Sequence, residues 1–418
     1  MAKIFFKTYG CAHNQSDSEV MMGLLSKAGH EIVNSESSAE LVVFNTCTVK
    51  DPSEKKFFSE LEKINKPVVV AGCIPQADMK NKFLTGYSLI GVKQIDKIVE
   101  VVKETLNGNS VQFLKHENNE RLNLPKIRRN PLVEIIPISS GCLGYCTFCK
   151  TKFARSGLVS FAEVAIVKQF RTALNEGVKE VWLTSEDTGA YGQDIGTSLP
   201  TLLKKLLAVN KDFRIRIGMI NPEHVKRDLK ELVEIFQDHR MFKFLHIPVQ
   251  AGNDRVLKEM KRPYTVKDFK KSVAYLRENI SGVTIATDII CGFPTETAEE
   301  FEETLDLVKE LAFPVVNISK FYPRAGTKAA AMKLLPTKTA KARSKALTEL
   351  LERIHTNKGW LGWTGEILID EIGKTGSFIG RNDSYRPVVI KGEGLLGKRI
   401  KVKIVSVFKD YLEGKIIN

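Results

Sequence analysis

The chain has 418 residues, 43% of them apolar, enough for several domains with cores of their own. Its 63 Lys and Arg against 49 Asp and Glu leave a formal charge of +14, which favours a polyanionic partner through counterion release. No apolar run approaches a membrane span, MAKIFFKTYG lacks a signal-peptide pattern, and seven cysteines fit reduced thiols better than a secreted disulfide framework, so a cytoplasmic protein is expected.

Residues 1–108 alternate strand and helix patterns. The apolar runs KIFFKTYG, ELVVFNT and PVVVAG are each followed by a polar loop, with helical spacing in SDSEVMMGLLSKAG, PSEKKFFSELEKI and QIDKIVEVVKETL. This is the pattern of an open parallel α/β sheet, whose ligand sites lie beyond the carboxyl ends of the strands. Cys11, Cys47 and Cys73 each follow one of these runs, at spacings that suit one βα unit each. Three thiols distant in sequence are thereby expected at one sheet edge, although any one of them alone reads as a small core residue.

Residues 109–131 are polar, basic and aperiodic, and read as a linker. Residues 132–335 carry six further strand candidates, VEIIPIS, KEVWLTS, FRIRIGMI, FKFLHIPV, GVTIATDII and PVVNISKF, with helical stretches between most of them. Six units over about 200 residues predict a partial (β/α)6 barrel resembling an incomplete TIM barrel. Polar groups cluster after the strand ends, which is the catalytic face of such barrels. His246 reads as a hydrogen-bonded residue at the barrel mouth, and Cys291, inside a continuous apolar strand, as structural. Residues 336–357 form a connecting helix. Residues 358–418, with short strands broken by Gly, Asn and Asp, predict a small β-barrel. Half of the charge excess, a net +7, lies in residues 337–418. Lys398, Arg399, Lys401 and Lys403 alternate with apolar residues there and suit phosphate contacts. Trp360 and Trp363 read as packing residues with stacking on bases as the alternative.

The loop GCLGYCTFCK packs Cys142, Cys146 and Cys149 within eight residues. Such spacing directs soft thiolates at one metal centre, an iron–sulfur cluster or zinc. Structural zinc usually has four protein ligands, and no fourth Cys or suitably spaced His lies nearby. Three cysteines after the first strand of a βα barrel resemble the radical S-adenosylmethionine superfamily. The resemblance implies a 4Fe-4S cluster whose open iron chelates the methionine moiety. It also implies cofactor contacts from Phe148, before the third cysteine, and from Ser185, Glu186 and Asp187, after the second strand.

YGCAHNQSDSE, VFNTCTV and VAGC, taken with GCLGYCTFCKTKFAR and a terminal barrel of the TRAM type, resemble the methylthiotransferase family over essentially the whole chain. WLTSEDTGAYG, HIPVQAGNDRVLKEMKRPYT, ATDIICGFPTE and FYPRAGTKAAAMK resemble its archaeal and eukaryotic branch, which acts on threonylcarbamoyladenosine beside the tRNA anticodon. One departure is Ser156, where the family has glycine after arginine. The resemblance implies a second 4Fe-4S cluster on Cys11, Cys47 and Cys73, carrying the sulfur to be transferred. It further implies two uses of S-adenosylmethionine, as methyl donor and as radical source, and replacement of C–H by C–SCH₃ at carbon 2 of the modified adenine at position 37. The expected partners are the tRNA anticodon stem-loop and a low-potential electron donor such as flavodoxin or ferredoxin, with the protein working as a monomer. The alternatives are the same chemistry on isopentenyladenosine or on a ribosomal-protein aspartate, and a non-catalytic iron–sulfur RNA-binding protein.

Overall fold

The computed structural model describes residues 1–48, 51–115, 121–354 and 357–417. The N-terminal sheet has six parallel strands: β1 (Lys3–Thr8), β2 (Glu31–Val33), β3 (Leu41–Thr46), β4 (Val68–Gly72), β5 (Ser88–Gly91) and β6 (Gln112–Phe113), in the order β2-β1-β3-β4-β5-β6. Strands β3 and β4 are buried along their whole length, because helices cover both faces. Their sequences are accordingly near-continuous apolar runs rather than alternating ones. Since β1, β3 and β4 are adjacent, Cys11, Cys47 and Cys73 follow three neighbouring strand ends.

The stretch expected as a linker does more than connect. Residues 112–113 form the edge strand β6, and Arg121 and Leu122 are buried, Arg121 against the first domain and Leu122 in the core of the second. Its sequence is aperiodic because its buried residues answer to two different domains.

The second domain has six parallel strands: β7 (Val133–Pro137), β10 (Glu180–Thr184), β11 (Arg214–Ile217), β12 (Phe244–His246), β13 (Thr284–Cys291) and β14 (Val315–Lys320). They form two three-stranded sheets, β7-β10-β11 and β12-β13-β14, linked by a parallel bridge from Ile215 to Met241. A short antiparallel pair, β8 (Ser139–Ser140) with β9 (Val159–Ser160), brackets the cysteine loop. Five strands close the terminal barrel: β15 (Thr364–Ile372), β16 (Ser377–Arg381), β17 (Pro387–Lys391), β18 (Arg399–Val407) and β19 (Leu412–Ile416).

The terminal barrel docks on the amino ends of the (β/α)6 strands, the end opposite the cysteine loop. Arg399 pairs with Asp212 before β11 (2.7 Å), Arg214 with Asp383 (2.6 Å), and Ser384 donates to Gly282 O before β13 (2.6 Å). At the centre of this junction Tyr385 donates to Glu180 Oε1 (3.1 Å), beside Asp370, Arg216 and Arg381. Asp370 Oδ1, Glu180 Oε2, Arg216 Nε and Arg381 Nε are buried there without a hydrogen-bond partner.

Candidate functional site: two thiol triads across one domain boundary

Cys47 and Cys73 are buried, and Cys11 is exposed at the rim of the sheet edge. Between them stands Asn14, whose Oδ1 lies 3.8 Å from Cys11 Sγ and 3.7 Å from Cys73 Sγ. Its amide nitrogen donates to Tyr9 O (3.1 Å) and Thr46 O (2.7 Å), which fixes the side chain between strand ends. The backbone leaves no spare room. Gly10 sits at φ +107°, and a Cβ on it would lie 2.5 Å from Cys47 Cβ and 2.8 Å from Cys47 Sγ. Only glycine combines that conformation with that approach.

Cys142, Cys146 and Cys149 line the loop after β7 at the barrel mouth. Gly144 N–H donates to Cys142 Sγ (3.2 Å), and Arg262 Nη1 donates to Cys146 Sγ (3.2 Å). Arg262 is 8% exposed and fully braced: Nη2 donates to Asn221 Oδ1 (2.6 Å) and Nε to Tyr264 Oη (2.8 Å). Burial pushes the Cys142 thiol up to about 12, with Asp187 adding to the rise. Burial likewise pushes Cys73 up to about 12. Such thiols are poor free nucleophiles at neutral pH. They suit ligands whose deprotonation is coupled to binding a cation.

Neither triad brings its three sulfurs mutually within 4.8 Å, whereas Asp187, Glu223 and His224 do bring ligand atoms that close. One zinc with Zn–S bonds of about 2.3 Å would draw thiolates to roughly 3.8 Å from each other. The wider spread fits a multi-iron cluster better than a single zinc. A second feature fits a cluster at the sheet edge. Arg155 Nη1 is buried without a partner, and its charge acts on both Cys11 and Cys73. An N–H left over beside thiolates is available to a cluster sulfide.

The triads meet through the helix Thr151–Arg155. Ala154 packs with Cys73 in one buried cluster. Arg155, 1% exposed, donates from Nη2 to Asn14 Oδ1 and Asp17 Oδ2 (3.0 Å each) and pairs through Nε with Glu186 Oε1 (3.1 Å). Arg121 completes the junction, reaching Asp17 Oδ1 (3.2 Å) and His13 Nε2 (2.7 Å). Ser156, where the resemblance predicts glycine, holds φ 63° and ψ −151°, a conformation glycine adopts freely and other residues rarely. Its carbonyl accepts from Cys142 N–H (3.4 Å), so the departure lies against the cysteine loop itself.

Of the residues after β10, Glu186 faces the sheet-edge side. Its carboxylate accepts from Gly141 N–H (2.7 Å) and meets His13 and Arg155. Burial alone would raise its pKa, but His13, Arg155 and the Gly141 N–H outweigh it and hold the carboxyl at about 2. Asp187 and Ser185 stay on the mouth side. Asp187 accepts from Asn221 Nδ2 (2.6 Å), and Ser185 Oγ from Asp187 N–H (3.0 Å). Phe148 is half-buried against the barrel core. His246 Nε2 meets Asp288 Oδ1 (2.8 Å), and Cys291 is fully buried in the core. Trp360 and Trp363 meet edge to face and pack, partly buried, against the terminal barrel's core. Lys398, Lys401 and Lys403 are exposed, whereas Arg399 is committed to Asp212 and Glu366.

Sequence reasoning missed His13, Asn14, Asp17, Arg155 and Arg262. One signal for the first three was present: HNQSDSE, starting two residues after Cys11, is polar, yet His13, Asn14, Ser16, Asp17, Ser18 and Glu19 are all buried. A polar run at the head of a helix covering a sheet edge marks a junction.

Comparison with known proteins follows this division of the chain. Residues 3–88 match the Uncharacterized protein family UPF0004, residues 136–308 the radical SAM superfamily and residues 361–417 the TRAM domain. A threonylcarbamoyladenosine tRNA methylthiotransferase of Drosophila pseudoobscura is 47% identical over 100% of this chain and 77% of its own length. The human protein of that name is 45% identical over 100% and 74%, and a probable one from Pyrococcus horikoshii 38% identical over 100% of both. Among solved structures, a radical S-adenosylmethionine methyltransferase from Kitasatospora setae superimposes with a TM-score of 0.54 at 15% identity, covering 79% of this chain and 77% of that one. That likeness concerns the fold alone.

Proposed function

The chain belongs to the threonylcarbamoyladenosine tRNA methylthiotransferase family, and on that premise we propose that its two thiol triads serve one reaction, methylthiolation of carbon 2 of threonylcarbamoyladenosine at tRNA position 37. The observation that carries this reading is the shared wall between the triads, in which Arg155 belongs to the cysteine loop and reaches Asn14 and Asp17 beside Cys11. Cys142, Cys146 and Cys149 would hold a 4Fe-4S cluster, and Cys11, Cys47 and Cys73 a second. With S-adenosylmethionine, these groups supply the homolytic chemistry that a ring C–H without an acidic proton requires.

The chain's own residues position and shield. Arg262 and Gly144 donate to thiolate sulfurs, lowering the cost of their charge in a buried site. Asp187, with Ser185, and Glu223, whose Oε2 lacks a partner, place carboxylates beside the loop for the methionyl ammonium. Phe148 offers an apolar surface near the third cysteine for the adenine. Glu186 and Asp17 neutralise Arg155, and His13 braces Glu186 from the other side. Lys398, Lys401 and Lys403, on the far end of the barrel, suit the phosphates of the tRNA body. Arg399 serves the domain junction instead. The protein would work as a cytoplasmic monomer with a low-potential donor such as flavodoxin or ferredoxin. Among the described residues no helix is long and apolar enough to cross a membrane.

The test uses anaerobically reconstituted protein, S-adenosylmethionine, reductant and anticodon stem-loops bearing either threonylcarbamoyladenosine or isopentenyladenosine. Mass spectrometry should find the methylthio product in the first RNA only, and none with Cys146→Ala. Product from the second RNA instead would sink the substrate assignment.

A further inference from the structure

The mouth of the (β/α)6 barrel carries a basic rim built onto the cysteine loop. Thr147, 4% exposed between Cys146 and Phe148, ties two other loops to it. Its N–H donates to Met260 O (3.1 Å), its hydroxyl donates to Glu259 O (2.9 Å), and its carbonyl accepts from Ala329 N–H (2.9 Å). The next residue in each tied loop is an exposed lysine: Lys261 follows Met260, and Lys328 precedes Ala329. Lys261 has φ 56°, in the left-handed region that lysine seldom occupies, so its direction is set by the loop rather than by preference. Through Thr147 the two lysines stand on loops bonded to one residue, and Lys328 lowers the proton affinity of Lys261. Among the described residues neither lysine meets a carboxylate. Two cations held together without an acid between them lack only an anion.

The same cysteine loop carries an aromatic surface. Tyr145, two residues before Thr147, is 72% exposed, and the Lys152 ammonium sits 3.3 Å from its ring centroid while donating to Gly144 O (3.1 Å). The tyrosine is thus braced on one face. A braced ring beside lysines is the arrangement that takes a nucleobase and its phosphate. The terminal barrel cannot supply these contacts, because it docks on the opposite ends of strands that are five to eight residues long in β7 and β13. That is roughly 20 Å of strand.

We propose that Lys261 and Lys328 clamp the RNA backbone at the barrel mouth, with Tyr145 as the stacking platform for a base next to the one modified. The clamp rests on the RNA-substrate reading given above, and its test separates the two. Binding of a fluorescent anticodon stem-loop to the reconstituted protein is followed by anisotropy over a range of salt. Lys261→Ala with Lys328→Ala should weaken binding about tenfold and lower the salt slope by about 1 per lysine lost. Lys261→Arg with Lys328→Arg should restore both, and Tyr145→Ala should weaken binding with the slope kept. Iron content and cluster absorption of each variant report its folding. Unchanged affinity and slope in the double alanine variant, with wild-type protein still modifying the RNA, overturn the clamp and leave the enzyme reading standing. Wild-type protein that binds but never modifies the RNA sinks the substrate reading while the slope still decides the clamp. Stronger competition by polyglutamate than by RNA would make the rim an acidic-peptide site and overturn the proposal.

Discussion

Arg155 Nη2 and Asp17 Oδ2 meet at 3.0 Å, and each residue stands six positions after a cysteine of a different triad, Cys149 and Cys11. The pair is buried on both sides and belongs half to each domain. Removing one partner of such a pair leaves an uncompensated charge and costs about 3–5 kcal/mol. Arg155→Met is expected to lower the thermal midpoint of the reduced apo-protein sharply. Adding Asp17→Asn should recover part of the loss, and an additive double variant would show that the pair is not coupled.

Gly10→Ala should abolish loading of the sheet-edge triad while sparing the mouth triad. The new Cβ would fall 2.5 Å from Cys47 Cβ, at a φ that alanine disfavours. Iron per chain after anaerobic reconstitution should drop from about eight to about four, as for one of two 4Fe-4S clusters. Full iron content in the variant would remove Cys47 from the ligand set.

Arg262→Met takes a charged donor away from Cys146 Sγ. Hydrogen bonds to a cluster's sulfurs stabilise its reduced, more negative state. In a background with Cys11, Cys47 and Cys73 changed to Ala, the remaining cluster should therefore show a lower midpoint potential by EPR-monitored titration, and Arg262→Lys should fall between. An unmoved potential would restrict Arg262 to bracing Asn221 and Tyr264.

Ser156→Gly should stabilise the chain by roughly 1 kcal/mol, because glycine carries no penalty at φ 63°. Calorimetry of the apo-protein reads the shift directly. A destabilised variant would mean that the serine side chain contributes more than its backbone strain costs.

The junction of the two barrels should weaken as pH rises. Burial, followed by the neighbouring Glu180 carboxylate, pushes the Asp370 carboxyl up to about 8, against Arg381. The folded chain thus holds a proton that the unfolded chain releases near pH 4, so stability falls through the window from about 4 to about 8. Limited proteolysis should cut between the barrels faster above about pH 8, and Asp370→Asn should flatten that dependence. Cleavage that accelerates equally in Asp370→Asn would place the titrating group elsewhere.

Periodicity was enough to read β1, β3, β4 and all six barrel strands, because each lies in a stretch rich in apolar residues, near-continuous in β3 and β4 and alternating in β11. It passed over β2, β5 and β6, which have three, four and two residues and become strands only by pairing with a neighbour already in place. The six triad cysteines were legible as two groups, one by its close spacing in a single loop and the other because each member follows a strand. Which way Glu186 points was not. That depends on Arg155 and His13, brought together by domain packing rather than by local sequence. Arg262 escaped notice for the same reason, lying 116 residues from the sulfur it serves.

The five-residue helix Thr151–Arg155 acts as a ruler between the triads. One end is pinned at Cys149 and the other at Asn14 and Asp17, so its length sets their separation and its phase sets their facing. Inserting or deleting a single residue there would turn Arg155 by about 100° about the helix axis. Length variation in this protein should be tolerated at exposed turns such as that around Gly196, where nothing crowds the backbone, and forbidden in residues 150–155. A chain that keeps every cysteine but miscounts this interval would have two intact sites and no common room.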